Sequence, residues 1–280
     1  MKQKYSRMGR NIDTVVTYII LIIVAFIFFF PCLWLILASF SKSGSIYTYD
    51  GFFPSAFSLD SFKTLFGDTA LYNYPQWFKN TLAVAVGSCV LSTFLTILTA
   101  YTMSRFRFNA RKTIMKTTLV LGMFPSFMGM IAVYILMTQF GLINKLWGLI
   151  LIYSAGAPMG YLTQKGFFDT IPSSIDEAAR IDGATSFQIF RKINLPLSKP
   201  IIVYTALTSF TWPWSDFILP KLLLKNKDMY TVAVGLLSLD ETQFSRFAAG
   251  SVFIAVPIVL LYFLLVRNMV NGMAQGAVKG

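Results

Sequence analysis

Two stretches of this chain carry side chains that could do more than pack. The first is Trp212-Pro-Trp214-Ser-Asp216. Asp216 is the one acid in the otherwise uncharged run 200–220. An ionisable group at membrane depth marks a substrate or ion path by default, and a carboxylate beside two indole faces suits a sugar ring. The plainer reading puts Asp216 at the outer interface, a few residues from Lys221, with Trp212 and Trp214 as ordinary belt residues. The second stretch is Glu177-Ala-Ala-Arg-Ile-Asp-Gly183, followed after nine residues by Ile193-Asn-Leu195-Pro196. Acidic, small and glycine residues so spaced offer a surface to another protein.

Bond-breaking chemistry has little to work with elsewhere. The chain has no histidine, which removes Ser-His and Cys-His nucleophile pairs, HExxH zinc sites and histidine proton relays. Cys32 and Cys89 both lie in apolar runs and make neither a disulfide framework nor a metal site. No Gly-Lys-Ser/Thr phosphate loop is present, so ATP is not bound by that route. We expect no catalytic residue, metal or cofactor in this chain.

Lipid dictates the elements that must hold these residues. Of 280 residues, 55% are hydrophobic and 13% charged, with a mean hydropathy of +0.62; soluble domains carry about 25% charged residues. Long runs with at most one charge predict six transmembrane helices, at about 15–38, 80–104, 117–138, 146–164, 200–220 and 247–266. Each is close to the ~20 residues that cross ~30 Å of hydrocarbon. Helices follow because lipid cannot satisfy open backbone groups. The expected fold is an all-α membrane protein, one transmembrane domain over 1–280. The first run exceeds the 7–15 residues of a signal-peptide core and is read as a retained helix.

Six spans put both termini on one side. Lys2, Lys4, Arg7, Arg10, Arg105, Arg107, Arg111, Lys112, Lys116, Lys165, Arg180, Arg191, Lys192, Lys199, Arg267 and Lys279 fall on that side. That is sixteen of the 24 cations, so both termini are assigned to the cytoplasm. The same bias explains most of the net charge of +12 without nucleic acid. Pro31, Pro125, Pro158, Pro213 and Pro257 interrupt the runs, as ordinary kinks or as bends around a pathway. Gly156-Ala-Pro-Met-Gly160 matches a GxxxG packing face. The outer segment 42–79 is rich in aromatics, including Tyr47, Phe52, Phe53, Tyr72, Tyr74, Trp77 and Phe78. They are expected partly in an interfacial belt and partly facing an extracellular partner.

Residues 165–199 form the extended polar loop on the basic side. Ser174 with Glu177 predicts a capping box, and Asp176 with Arg180 an i,i+4 ion pair. Gly183 predicts a C-cap, and Thr185 with Gln188 a second capping box. Phe187, Phe190 and Ile193 follow at i,i+3 spacing, and Pro196 is expected to end that helix. The expectation is two short helices hinged at Gly183, the first displaying Ala178 and Ala179. The alternative is that Glu177 only caps its own helix and the loop merely connects spans.

Glu-Ala-Ala, three residues, Gly, nine residues, Ile, one residue, Leu-Pro resembles the loop signature of permease subunits of binding-protein-dependent ABC importers. The likeness covers nearly the whole chain, from the six spans to the ending Val270-Asn-Gly-Met-Ala-Gln-Gly-Ala-Val-Lys-Gly280. That tail, Arg105-Phe-Arg-Phe and Met123-Phe-Pro-Ser resemble the carbohydrate class, and within it the second permease of maltose/maltodextrin importers. The resemblance implies a coupling helix that fits a groove on a cytoplasmic ATPase. Glu177, Ala178, Ala179, Asp182, Gly183, Ile193, Leu195 and Pro196 would carry it, and Gly276, Lys279 and Gly280 would reach toward the ATPase. It further implies a second homologous permease, two ATPase subunits that bind ATP and Mg, an extracellular sugar-binding protein, and a bacterial cell membrane. Rival cargoes are raffinose-type oligosaccharides or glycerol phosphate. An ion-coupled secondary transporter would need more buried acids and inverted repeats. An intramembrane enzyme would need paired acids or a nucleophile with its base.

Overall fold

The computed structural model describes residues 7–42, 44–48, 51–68, 72–155 and 158–277. Among them every regular element is a helix, and the one β contact is a lone bridge between Ser41 and Phe57. It divides into two compact units, Met1–Asp68 with Leu239–Phe253, and Thr69–Ser238 with Ile254–Gly280.

The first unit holds α1 (Arg7–Ser39) and α2 (Asp60–Gly67). Much of α1 is apolar and exposed, with Phe28 at 74%, as lipid or a partner would require. Aromatic contacts close its end: Phe40 meets Phe62 at 5.2 Å between ring centroids, and Phe66 lies edge-on to Phe253 at 4.8 Å. The Tyr47 hydroxyl donates to the Glu241 carboxylate. Tyr47, Phe62 and Phe66 of the aromatic segment 42–79 thus make contacts within this unit, while Tyr47 stays 73% exposed.

The second unit holds α3 (Tyr74–Arg105), α4 (Arg111–Gly122), α5 (Met130–Gln139), α6 (Leu146–Ser154), α7 (Pro158–Thr170) and α8 (Ser173–Ile181). There follow α9 (Ser186–Ile189), α10 (Leu195–Leu197), α11 (Lys199–Ser215), α12 (Ile218–Leu223) and α13 (Val232–Leu237). The long α14 (Phe244–Ala277) begins in the first unit and continues in the second. Helix α3 is the axis, packed against α11, α7 and α6. Its seam with α11 is polar and small: Ser209 donates to Ser92 at 3.2 Å and the Cys89 thiol to the Ala206 carbonyl at 3.3 Å. Such residues let helices approach where lipid gives no hydrophobic drive. Gly87 sits under Ile150, where a Cβ would come within 2.8 Å of its Cδ1. A Cβ at Gly160 would meet nothing within 4 Å, so the expected GxxxG face shows no close approach there; Gly156 and Ala157 lie outside the described residues.

Among the described residues, three helices are long and apolar enough to cross a membrane: Thr14–Ser39, Tyr74–Arg105 and Glu241–Val266. Arg111–Gly122 and Phe127–Gln139 make a fourth if they form one span, bent by 96°. Pro125 causes that break. It adopts an extended ψ of 129° ahead of the turn Ser126–Gly129, and it has no N–H with which to continue the helix. The run 146–164 holds α6, which ends at Ser154, and α7, described from Pro158. The run 200–220 is split at Asp216, which is extended (φ −77°, ψ 121°). Pro31, Pro213 and Pro257 are carried inside continuous helices.

Trp77, 3% exposed, lies flat on Gly235, and its Nε1 donates to the Lys227 carbonyl at 2.8 Å. A Cβ at 235 would sit 2.0 Å from Trp77 Cε3. Gly235→Ala should therefore destabilise the fold by about 1–3 kcal/mol through overpacking. A lowered thermal midpoint in detergent checks this; an unchanged midpoint refutes it.

Candidate functional site

The loop 165–199 is ordered by backbone caps. Pro172 (φ −58°, ψ 132°) precedes α8, and no side chain caps that end. The expected Ser174–Glu177 capping box does not form, because the helix already begins at Ser173 and Ser174 falls inside its first turn. At the other end Gly183 has φ +85°. Its N–H donates to the Arg180 carbonyl at 3.0 Å and that of Ala184 to the Ala179 carbonyl at 2.9 Å. This is a Schellman cap, which favours glycine in the left-handed conformation. The expected hinge position is a capped corner between α8 and α9. Beyond it the second capping box is made: the Gln188 N–H donates to Thr185 Oγ1 at 3.3 Å and the Thr185 N–H to Gln188 Oε1 at 2.8 Å.

Helix α9 then widens into a π-turn over Phe190–Asn194, where the Leu195 N–H reaches the Phe190 carbonyl. Pro196 was expected to end this helix. It instead sits in the first turn of α10, where proline is tolerated, and the chain yields at Ser198 (φ −91°, ψ 8°). The π-turn has a steric consequence. Residues five apart on an α-helix point about 140° apart, whereas i→i+5 bonding brings them onto one side. Ile189 and Asn194 are accordingly both buried, at 1% and 0% exposure.

Asp176 was expected to pair with Arg180 on its own helix. It is 4% exposed and faces inward, where Arg105 Nε from the end of α3 lies 3.1 Å from Asp176 Oδ2. Asn194 Nδ2 donates to Asp176 Oδ1 at 2.9 Å. The Arg105 guanidinium also donates to Asn194 Oδ1 at 3.2 Å and to the Ile171 carbonyl at 3.0 Å. Three segments far apart in sequence thus share one buried charge cluster. Tyr101, one turn earlier on α3, adds an apolar contact, 4.6 Å from the Phe190 ring. Nearby, Ser104 Oγ donates to Asp169 Oδ1 at 2.6 Å and Lys165 pairs with the other oxygen. Burial raises the Asp169 pKa, but hydrogen bonds from Lys165 and Ser104, with the charges of Lys165 and Arg111, hold it below the ordinary carboxylate value.

The outer surface carries most of the sequence-predicted residues. Glu177, Ala178, Asp182, Gly183 and Pro196 are exposed, and Ile193 and Leu195 are half-buried. Ala179 is turned inward at 9% exposure, so only Ala178 of that pair is displayed. Ile181 and Phe187, on either side of the Gly183 corner, are 87% and 66% exposed. The i,i+3 stripe was therefore misplaced: Ile189 faces in and Phe187 faces out. Exposed side chains of that size form an apolar tip. Gly276 lies within α14; Lys279 and Gly280 lie outside the described residues.

The Asp216 group is only partly a site. The Tyr153 hydroxyl donates to Asp216 Oδ2 at 2.8 Å, and Oδ1 accepts the Leu219 N–H at 3.4 Å. Asp216 therefore caps α12 and ties it to α6. Trp214 is 1% exposed, packed between Phe78 and Phe210 at 5.1 and 6.0 Å. It is core. Trp212, 61% exposed, is the one indole of the pair open to a ligand.

The chain resembles known proteins in family profile, sequence and fold. The profile of the family described as binding-protein-dependent transport system inner membrane component matches residues 92–275. The chain is 36% identical over 279 residues to the galactooligosaccharides transport system permease protein GanQ of Bacillus subtilis, covering 98% of each. It is 37% identical to the maltodextrin transport system permease protein MdxG of the same organism, covering 97% of this chain and 98% of that one. It is 34% identical to the maltodextrin transport system permease protein MalD of Streptococcus pneumoniae, covering 98% of each. Its fold resembles a chain of a bacterial ABC transporter that imports the acidic polysaccharide alginate, with a TM-score of 0.76 at 22% identity, covering 94% of this chain and 98% of that chain.

The two tryptophans should behave oppositely. Trp214→Ala should cost about 3–5 kcal/mol of stability, as truncating a buried aromatic does, and Trp212→Ala less than about 0.5 kcal/mol. Thermal unfolding of both variants in detergent decides it; equal shifts would show that Trp214 is not core.

Proposed function

This chain belongs to the family of binding-protein-dependent transport system inner membrane components, and on that footing we propose that it is one permease subunit of an ATP-driven importer of maltodextrin-type oligosaccharides. The observation that carries the reading is the capped, outward-facing corner at Gly183, on a chain 34–37% identical to sugar permeases over nearly its full length. A second cargo, galactooligosaccharide, is favoured by the likeness to GanQ.

In this reading the chain crosses a bacterial cell membrane six times with both termini in the cytoplasm. It pairs with a second, homologous permease. Two ATPase subunits bind below, holding ATP and Mg, and a sugar-binding protein delivers cargo from outside. The exposed loop is the coupling element. Ile181 and Phe187 enter a groove on the ATPase; burying each contributes roughly 1.5–3 kcal/mol of apolar transfer. Glu177 and Asp182 meet cations at its rim, Ala178 allows close approach, and the C-terminal tail follows toward the same partner. Closure of the ATPases draws the coupling elements together, and the permeases rock from inward- to outward-facing. Sugar and ATP bias that switch only through their different affinities for its two states. Trp212 and Asp216 are the candidate contacts to cargo.

Gly183→Val tests the corner. A β-branched residue at φ +85° is strained, although a Cβ there meets nothing within 4 Å. In vesicles holding the full transporter, this variant should assemble and hydrolyse ATP but take up maltodextrin at least about tenfold more slowly. Wild-type uptake by the assembled variant would refute the coupling role.

A further inference from the structure

We propose that Arg105, Asp176 and Asn194 are positioning residues that lock the coupling loop to helix α3, so that a push on the loop moves α3 without slip. This rests on the transport reading above and names the joint through which it works.

The contacts between loop and α3 are of two kinds. Apolar contacts, such as Tyr101 against Phe190 at 4.6 Å, set proximity but little direction, because greasy surfaces slide. The polar cluster sets direction. Arg105 Nε lies 3.1 Å from Asp176 Oδ2, and its guanidinium reaches Asn194 Oδ1 and the Ile171 carbonyl at 3.2 and 3.0 Å. Asn194 closes the ring by donating to Asp176 Oδ1 at 2.9 Å. A planar guanidinium held by several acceptors has a fixed orientation, and displacing it exposes a buried charge without its partner.

Placement supports a mechanical role. The three residues sit where forces would pass: the last residue of α3, the middle of α8, and the end of the π-turn before α10 and α11. The π-turn itself is costly geometry often kept at functional sites, and here it turns Asn194 inward. Ahead of Arg105, α3 packs along α11, α7 and α6, so a displacement of its end reaches most of the second unit. Asp176 immediately precedes the exposed Glu177. One side of α8 thus faces the proposed motor while the adjacent residue grips the rod.

The test uses the assembled transporter in vesicles, with its ATPases, binding protein and maltodextrin, and reads sugar taken up per ATP hydrolysed per assembled complex. The wild type is scored first; no ATP-dependent uptake there would sink the transport reading and this inference with it. Asp176→Asn and Arg105→Lys are then compared. The first should lower uptake per ATP at least tenfold and the second severalfold, with ATP hydrolysis retained. The exchange Arg105→Asp with Asp176→Arg should restore part of the loss. Should Asp176→Asn assemble poorly, Asn194→Ser supplies the same readout. Assembled variants with wild-type uptake per ATP, their only defect being fewer complexes, would overturn the inference and leave the cluster a structural clamp.

Discussion

A buried ion pair between Arg105 and Asp176 is the constraint on which the rest of the loop geometry depends. Both partners are nearly withdrawn from solvent, so each alone would carry a large desolvation penalty. Together, with Asn194 bonding both partners and the Ile171 carbonyl accepting from the guanidinium, they form one paired charge cluster. Its geometry decides which face of α8 points inward. Once Asp176 and Ala179 face in, Glu177, Ala178 and Asp182 must face out on a helix of 3.6 residues per turn. The outer surface is thus a consequence of the inner charge pair.

The second constraint is the capped corner at Gly183. A left-handed glycine closing a Schellman cap sets the angle between α8 and the capping box that starts α9. Ile181 and Phe187 project from either side of it. A soluble protein would hide such residues, and their exposure fits the partner surface proposed here. The apolar exterior of α1 is exposed for a different reason. It is long, continuous and almost without polar groups, which suits lipid or another transmembrane chain.

Local signals were legible in the sequence and tertiary ones were not. The Gly183 cap and the Thr185–Gln188 box depend on residues three or four apart, and both form. The Ser174–Glu177 box failed for an equally local reason, since the helix starts two residues earlier, directly after Pro172. Asp176 could not be assigned because its partner lies 71 positions earlier and a nearer arginine at i+4 competes for it. Ala179 was offered to a partner alongside Ala178 because adjacent alanines look alike in sequence, and only the inward pairing of Asp176 shows which of the two is buried. Phe187 was grouped with Phe190 and Ile193, yet it faces out. Long apolar runs gave the helices, but a run cannot say where a proline or an Asp216 cap divides it. Trp214 was offered to a ligand on its type alone; Phe78 and Phe210, which enclose it, come from α3 and α11.

A locked joint makes loop and rod move as one body. Spin labels at Thr102 on α3 and Ser174 on α8, both exposed, report this directly in the assembled transporter by pulsed electron resonance. One narrow distance, the same with and without ATP, is the predicted result. A distance that shifts by several ångströms on adding nucleotide would contradict it.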